Sequence, residues 1–130
     1  WLAEAASAIG GQVTTVELSD FKIGLAATTF SRSGLSPLIM QLHADAGQVL
    51  AAGGDGAFDF VFLDSERPQY PGWWPELRRV LRKGGLLVVD NATSHPRELA
   101  PLVALVQADG EFVSCLVPIG NGEFLATRCA

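Results

Sequence analysis

The sequence predicts an α/β fold in which a mostly parallel sheet is wrapped by helices and ends in an antiparallel hairpin. Helical and strand-like patterns alternate along the chain of 130 residues, and such alternation is typical of parallel strands joined by helical crossovers. Near the end, Asn121-Gly122 separates two apolar runs, and an Asn-Gly pair in that position favours a tight hairpin. We therefore interpret residues 1–130 as a single domain.

Elements of the first half are predicted from apolar periodicity and from the residues that begin and end them. Gly10-Gly11 ends the first helix, Ser19-Asp20 caps the second and Ser33-Gly34 ends it. In chain order, the elements are a helix over Trp1–Ile9, a strand over Val13–Leu18, a helix over Phe21–Arg32, a strand over Leu38–Leu42 and a short helix over Gln48–Ala52. Because the chain opens at Trp1 within a helical pattern and without Met, we expect it to begin partway through a longer protein.

Elements of the second half follow from the same signals. Pro75 suits the first turn of a helix with a basic end, and Gly84-Gly85 is predicted to turn the chain into the next strand. The elements are a strand over Phe58–Leu63, a helix over Pro75–Leu81, a strand over Leu86–Val89, a helix over Arg97–Ala108 and the hairpin strands Phe112–Val117 and Phe124–Arg128.

Composition narrows the function classes. A net charge of −5 and the lack of a Lys/Arg run argue against nucleic-acid binding. No apolar run reaches the roughly 18 residues that a membrane span needs, and no signal peptide is visible, so we expect a cytoplasmic protein. Cys115 and Cys129 have no metal-site spacing. We expect buried reduced thiols, with a bridge as the alternative if the last two strands pair.

Polar side chains follow one predicted strand after another. Glu17, Asp45, Asp64 and Asp90-Asn91 stand at or just beyond strand ends, where ligands bind in open α/β sheets. Each one alone is more simply explained as a helix cap or a solvated turn. Together they suggest a site: Glu17 for the ribose hydroxyls of a nucleoside cofactor, Asp45 beside its adenine, and Asp64, Asp90 and Asn91 as oxygen ligands of a divalent cation.

These segments resemble the caffeoyl-CoA and catechol O-methyltransferase family, including its small bacterial members. The matching motifs cover nearly the whole chain, and the most specific is Gly-Gly-Leu-Leu-Val-Val-Asp-Asn after a strand that ends in Asp. They are Val13–Leu18, Ala44-Asp45-Ala46, Phe58–Asp64, Leu81–Asn91 and Pro118–Gly122.

The resemblance implies a Rossmann-like methyltransferase sheet and a reaction that uses S-adenosylmethionine and a divalent metal, Mg²⁺ or else Ca²⁺ or Mn²⁺. In that family, the residues that match Asp64, Asp90 and Asn91 bind the metal, and Asp64 also borders the cofactor. The acceptor would be a small hydroxylated, catechol-like molecule, and we expect a homodimer. Asp64 and Arg67 are the predicted catalytic residues.

Two departures from the family pattern bear on activity. The family's first strand and glycine-rich cofactor loop precede the helix with which this chain opens, so both are missing from residues 1–130. Arg67 stands where the family usually has Lys, a plausible general base. Arginine stays protonated at neutral pH, so Arg67 is expected to stabilise a phenolate or bind a substrate carboxylate, with a solvated loop charge as the alternative.

Other candidates and rival functions stay open. His43 is expected to pack or be solvated, and His95 to stand near the metal or substrate. Tyr70, Trp73 and Trp74 either wall an aromatic substrate pocket or contribute to core or dimer packing. One rival function is a degenerate methyltransferase fold that serves as a non-catalytic binding or dimerisation unit. The other is a nicotinamide dehydrogenase, against which the terminal hairpin and the Asp-Asn pair argue.

Overall fold

The computed structural model describes residues 1–129, which form two compact units, Trp1–Val49 and a second that begins at Leu50. In the first unit, strands β1 (Val13–Glu17) and β2 (Ile39–His43) pair in parallel, with Val13 opposite Ile39 and Glu17 opposite His43. Its helices are α1 (Leu2–Ser7) and α2 (Asp20–Ser33), a 3₁₀ turn covers Ser36–Leu38, and α3 (Ala46–Ala52) follows β2.

Helix α2 shows how little of the first unit is buried. Gly34, in the left-handed conformation at φ 73°, ends the helix as predicted, and the Ser19 side chain caps its start. The sequence of α2 suggests a rough apolar face of Phe21, Leu25 and Phe30, but Phe21 is 75% and Leu25 56% exposed, and only Phe30 is partly buried. Ala3 is the only buried residue described between positions 1 and 49.

The second unit is a four-stranded sheet with two helices. The strand order is β3 (Phe58–Leu63), β4 (Leu81–Val89), β6 (Glu123–Arg128), β5 (Phe112–Val117). Strand β3 runs parallel to β4, whereas β6 runs antiparallel to both β4 and β5. The predicted hairpin of the last two strands is therefore confirmed. A 3₁₀ turn over Arg67–Gln69 leads into α4 (Tyr70–Val80), and α5 (Pro96–Ala108) joins β4 to β5.

The core of the second unit is apolar and almost fully buried. It is built from α4, α5 and the sheet residues that face them: Tyr70, Trp74, Leu77, Val80, Leu87, Val89, Leu99, Leu102, Val106, Phe112 and Phe124. The rings of Trp74 and Phe112 meet edge to face at 4.9 Å.

Two predictions about the starts of these elements were wrong. Helix α4 begins at Tyr70 rather than Pro75, because Pro71 occupies its first turn and Pro75 lies inside it. Strand β4 begins at Leu81 rather than Leu86. Gly84-Gly85 form an irregularity within the strand, where the register with β3 shifts, and a Cβ at Gly85 would lie 2.8 Å from the Arg82 carbonyl oxygen. Within residues 1–129 the strands form two sheets, β1 with β2 and the four strands β3, β4, β6 and β5, in keeping with the expectation that the family's first strand is missing from this chain.

Both cysteines differ from expectation as well. Cys115 and Cys129 carry free thiols as expected, but both residues are exposed rather than buried. None of the helices described within residues 1–129 combines the length and apolar character needed to cross a bilayer.

Candidate active site

The carboxyl ends of β3 and β4 bring together side chains that are distant in sequence. Leu63 lies opposite Val89 in the parallel register, and the Asp90 N–H donates to the Leu63 carbonyl at 3.0 Å. Asp64 and Asp90 therefore leave neighbouring parallel strands at one edge of the sheet. Just beyond, the Asn91 side-chain amide donates to Asp64 Oδ1 at 3.3 Å.

Asn91 adopts an unusual backbone conformation. Its φ of 69° is the only positive value described for a residue other than glycine between positions 1 and 129. Asparagine tolerates the left-handed region better than most residues, and the Asp90 Oδ1 accepts the Asn91 N–H at 2.5 Å. This turn directs the Asn91 side chain towards Asp64.

The tip of the β5–β6 hairpin holds the loop that follows Asn91. The carbonyl of Gly122 accepts the Ala92 N–H at 2.8 Å, and that of Asn121 accepts the Thr93 and Ser94 N–H groups at 2.9 and 3.1 Å. The Thr93 hydroxyl also donates to the Asn121 carbonyl at 2.6 Å. The Asn-Gly pair, which the sequence identified only as a turn, thus positions one side of the candidate site.

Glu123 adds a third carboxylate that sequence reasoning missed. Phe124 pairs with Val89, so Glu123 lies next to Asp90. Its Oε2 is buried and has no hydrogen-bond partner within residues 1–129. Burial, followed by the negative charges of Asp90 and Asp64, raises the pKa of Glu123 above its usual value. Only the strand order reveals this neighbour, and the one sequence signal was the glutamate that directly follows the Asn-Gly turn.

The loop after β3 is fixed by Tyr70. Its hydroxyl oxygen accepts the Ser65 N–H at 2.6 Å, and the side chain is 1% exposed. Burial raises the pKa of Tyr70. Tyr70 and Trp74 are core residues, while Trp73 is partly buried, with its ring 5.7 Å from that of Tyr70. Tyr70 and Trp74 therefore contribute to core packing, which was one of the two expectations, and do not wall a substrate pocket.

Arg67 forms an ion pair with Glu98 of α5. Its Nε donates to Glu98 Oε2 at 2.7 Å, which raises the pKa of Arg67 and lowers that of Glu98. The guanidinium therefore remains protonated and carries out no general-base step. Glu98 was not among the predicted site residues, because only the docking of α5 brings it to the loop.

The two histidines make local contacts. His95 precedes α5, and its Nδ1 lies 2.9 Å from the Ser94 hydroxyl, at the end of the loop that starts at Asn91. His43 lies in the first unit, where its Nε2 is 2.9 Å from the Leu18 carbonyl and its Nδ1 is 3.2 Å from Asp20. His43 is thus held by structural contacts, while His95 borders the candidate site.

Glu17 and Asp45 follow β1 and β2 in the first unit, and both bond to local backbone. Glu17 Oε1 accepts the N–H groups of Leu18 and Ser19 at 2.9 and 2.8 Å, and the Ser19 bond is the main reason why the pKa of Glu17 is lowered. Asp45 Oδ1 accepts the Gln48 N–H at 3.0 Å, at the start of α3. The Ala44 N–H donates to the Glu17 carbonyl at 3.2 Å, so these two strand ends are neighbours.

The metal donors are only partly arranged for a cation. Within residues 1–129, no group of three or more His, Cys, Asp or Glu side chains has the geometry of a metal site. Asp64, Asp90 and Asn91 supply two carboxylates and one amide, and the Asn91 amide nitrogen faces Asp64. Hard oxygen donors of this kind suit Mg²⁺ or Ca²⁺. The buried Glu123 Oε2 has no hydrogen-bond partner within residues 1–129, and a cation bound beside it would supply one.

Comparison with known proteins decides the family. A family model described as O-methyltransferase matches residues 2–129. This chain belongs to the O-methyltransferase family. A relative from Mycobacterium tuberculosis, also named as an O-methyltransferase, is 29% identical over 131 residues, which cover 91% of this chain and 58% of the relative. The chain thus spans about three fifths of the length of such relatives.

Solved structures of low sequence identity share the fold. A Corynebacterium glutamicum protein superposes with a TM-score of 0.83 at 16% identity, covering 92% of this chain and 61% of its own. The O-methyltransferase TomG from Streptomyces achromogenes, solved in complex with S-adenosylmethionine, gives a TM-score of 0.76 at 21% identity, covering 92% and 63%. These similarities establish that this chain has the Rossmann-like α/β architecture that its sequence predicts.

Proposed function

We propose that the complete protein is an S-adenosylmethionine-dependent, divalent-metal-assisted O-methyltransferase that acts on a small hydroxylated, catechol-like acceptor. Family membership supports the methyl transfer. The observation that carries the metal-assisted part is the convergence of Asp64, Asp90 and Asn91 at one sheet edge, with Asn91 in contact with Asp64.

The proposed cofactor contacts divide between the strand ends. Glu17 would accept hydrogen bonds from the ribose hydroxyls through Oε2, because Oε1 already serves Leu18 and Ser19. Asp45 would border the adenine, and Asp64 would stand between the cofactor and the metal. The bound cofactor supplies an electrophilic methyl group, and a cation lowers the pKa of the acceptor hydroxyl.

Arg67, Glu98 and Tyr70 would provide positive charge for the acceptor and hold the site residues in position. Arg67 carries a positive charge that stabilises a developing phenolate or an acceptor carboxylate, and Glu98 holds its guanidinium in one orientation. Tyr70 fixes the backbone at Ser65, next to Asp64. Such positioning matters because alignment of the reacting atoms supplies much of the rate in transfer reactions.

The test is a methyl-transfer assay on the full-length protein with methyl-labelled S-adenosylmethionine and a catechol acceptor. Activity should depend on added Mg²⁺, Mn²⁺ or Ca²⁺ and be removed by a chelator. Asp90→Asn should lower kcat/KM by at least about 100-fold, as expected when a catalytic metal is lost. Asp55→Asn, in a turn where the side chain is 85% exposed, is the matched control. Full activity in the chelator would refute metal assistance.

One observation favours the rival function of a non-catalytic binding or dimerisation unit. Arg67 stands at the position where the family usually has Lys. Arg67 is ion-paired to Glu98, which raises its pKa, and it cannot take a proton from the acceptor. If the full-length protein binds the cofactor but transfers no methyl group to any hydroxylated acceptor, with or without metal, this second function replaces the first.

A further inference from the structure

The side chain of His43, at the end of β2, contacts the loop that follows β1. The parallel register places His43 directly opposite Glu17, and the Ala44 N–H donates to the Glu17 carbonyl at 3.2 Å. One residue further along β1, the contact is made by a side chain, since His43 Nε2 lies 2.9 Å from the Leu18 carbonyl oxygen. Because a carbonyl oxygen can only accept, Nε2 carries the hydrogen and donates it. The imidazole thus continues the bonding between the two strands beyond their ends.

The bond from His43 and a bond to Glu17 involve the same peptide unit. The Leu18 carbonyl and the Ser19 N–H belong to one planar peptide, and in a trans peptide these two groups point in opposite directions. While His43 binds the carbonyl, the Ser19 N–H donates to Glu17 Oε1 at 2.8 Å. Because the plane is rigid, holding its carbonyl also sets the direction of its N–H.

The Ser19 N–H in turn sets the state of the Glu17 carboxylate. It is the contact that lowers the pKa of Glu17 most, and it shares Oε1 with the Leu18 N–H. A carbonyl that accepts a hydrogen bond also makes the N–H of its peptide a stronger donor. The Lys22 ammonium is 3.8 Å from Oε2 and is 70% exposed, so it holds the carboxylate weakly. The backbone loop, rather than Lys22, therefore orients Glu17.

We propose that His43 is a positioning residue for the cofactor. Through the peptide between Leu18 and Ser19, it keeps the Glu17 carboxylate in the orientation in which Oε2 accepts from the ribose hydroxyls. The ring is itself held by Asp20, at the start of α2, 3.2 Å from Nδ1. This role rests on the proposed cofactor contact of Glu17, and it requires no contact between His43 and the cofactor.

Isothermal titration calorimetry of the full-length protein with S-adenosylmethionine tests this role. His43→Ala should raise the Kd about five-fold, a typical factor for the loss of one hydrogen bond. His43→Gln should recover most of the affinity, because its side-chain amide still offers an N–H to the Leu18 carbonyl.

Gln41→Ala is the matched control for a merely structural contribution. Gln41 lies two residues before His43, on the same face of β2, and its Nε2 donates to the Ile23 carbonyl of α2 at 3.0 Å. The variant therefore removes a bond of the same kind without touching the loop at Glu17. Thermal melts should show at least as large a decrease in Tm for Gln41→Ala as for His43→Ala, since His43 is half-exposed. The Kd of Gln41→Ala should equal that of the wild type.

A double-mutant cycle shows whether His43 acts through Glu17. In a Glu17→Ala background, His43→Ala should leave the Kd unchanged, because the carboxylate that it orients is gone. Additive losses, an unchanged Kd in His43→Ala alone, or an equal loss in Gln41→Ala would overturn the inference while the cofactor contact of Glu17 stands. A wild type that binds no S-adenosylmethionine, or an unchanged Kd in Glu17→Ala, would instead refute the proposed cofactor site, and the role of His43 with it.

Discussion

The Asn91 side-chain amide donates to Asp64 Oδ1 at 3.3 Å although the two residues are 27 positions apart in the chain. The contact exists because β3 and β4 are parallel neighbours and because Asn91 turns back through a positive φ. It makes Asp64, Asp90 and Asn91 one cluster, whose proposed role leads to the first prediction.

Mg²⁺ should stabilise the folded protein through that cluster. Two carboxylates held close together repel each other, and a cation that binds only the folded state adds its binding free energy to stability. Thermal melts in millimolar Mg²⁺ should show a higher Tm, by about 4 °C for each kcal/mol of binding free energy.

Asp90→Ala should abolish this metal-dependent shift, while Asp55→Ala should keep it. If wild-type Tm is unchanged in Mg²⁺, Mn²⁺ and Ca²⁺ alike, the metal proposal fails and the non-catalytic function gains support.

Glu17→Ala should weaken binding of S-adenosylmethionine to the full-length protein by about 1–3 kcal/mol, the range for losing a charged hydrogen-bond partner. Isothermal titration calorimetry measures this change. Glu17→Gln is the matched control for the backbone contacts, because its amide oxygen still accepts from Leu18 and Ser19. Equal affinity of wild type and Glu17→Ala would show that this carboxylate does not hold the ribose.

Gly122→Ala should destabilise the protein more than Gly120→Ala. Both glycines have positive φ, 85° and 58°, but a Cβ at Gly122 would lie 2.6 Å from the Thr93 nitrogen, whereas nothing lies within 4 Å of one at Gly120. The left-handed backbone costs about 1–2 kcal/mol in each variant, and overpacking adds about 1–3 kcal/mol at Gly122 alone. Urea unfolding measures the free energy of unfolding of both variants. Equal decreases would mean that the loop after Asn91 shifts to make room for the Cβ without destabilising the protein.

Stability should depend on pH through Glu123. The pKa of Glu123 in the folded protein is raised above its ordinary value of 4.5. Protonated Glu123 therefore contributes its full stabilisation of the fold below pH 4.5, and this stabilisation is lost as the pH rises through the folded pKa. In a chelator, Glu123→Gln should therefore gain stability relative to wild type between pH 4 and pH 7. Glu4→Gln, at an exposed site on α1, is the control. If the free energy of unfolding changes with pH in the same way for wild type and for Glu123→Gln, the raised pKa of Glu123 is contradicted.

Strand β3 shows what apolar runs alone could predict, and β4 shows where they failed. Phe58–Leu63 has the predicted bounds, because a short apolar run between turn residues has few other structures available. Strand β4 is longer than predicted, because Gly84-Gly85 form an irregularity within the sheet instead of a turn before it. Glycine pairs allow both outcomes, and only pairing with β3 selects one.

The sequence by itself determined the alternation of helices and strands, the final hairpin, the family, and the polar residues at the strand ends, because periodicity, turn residues and motifs are local properties. Tertiary structure alone decided that Glu123 joins Asp64 and Asp90, that Glu98 pairs with Arg67, and that Tyr70 is buried against Ser65. Those relationships depend on strand order and helix docking, which bring together residues that no local pattern connects.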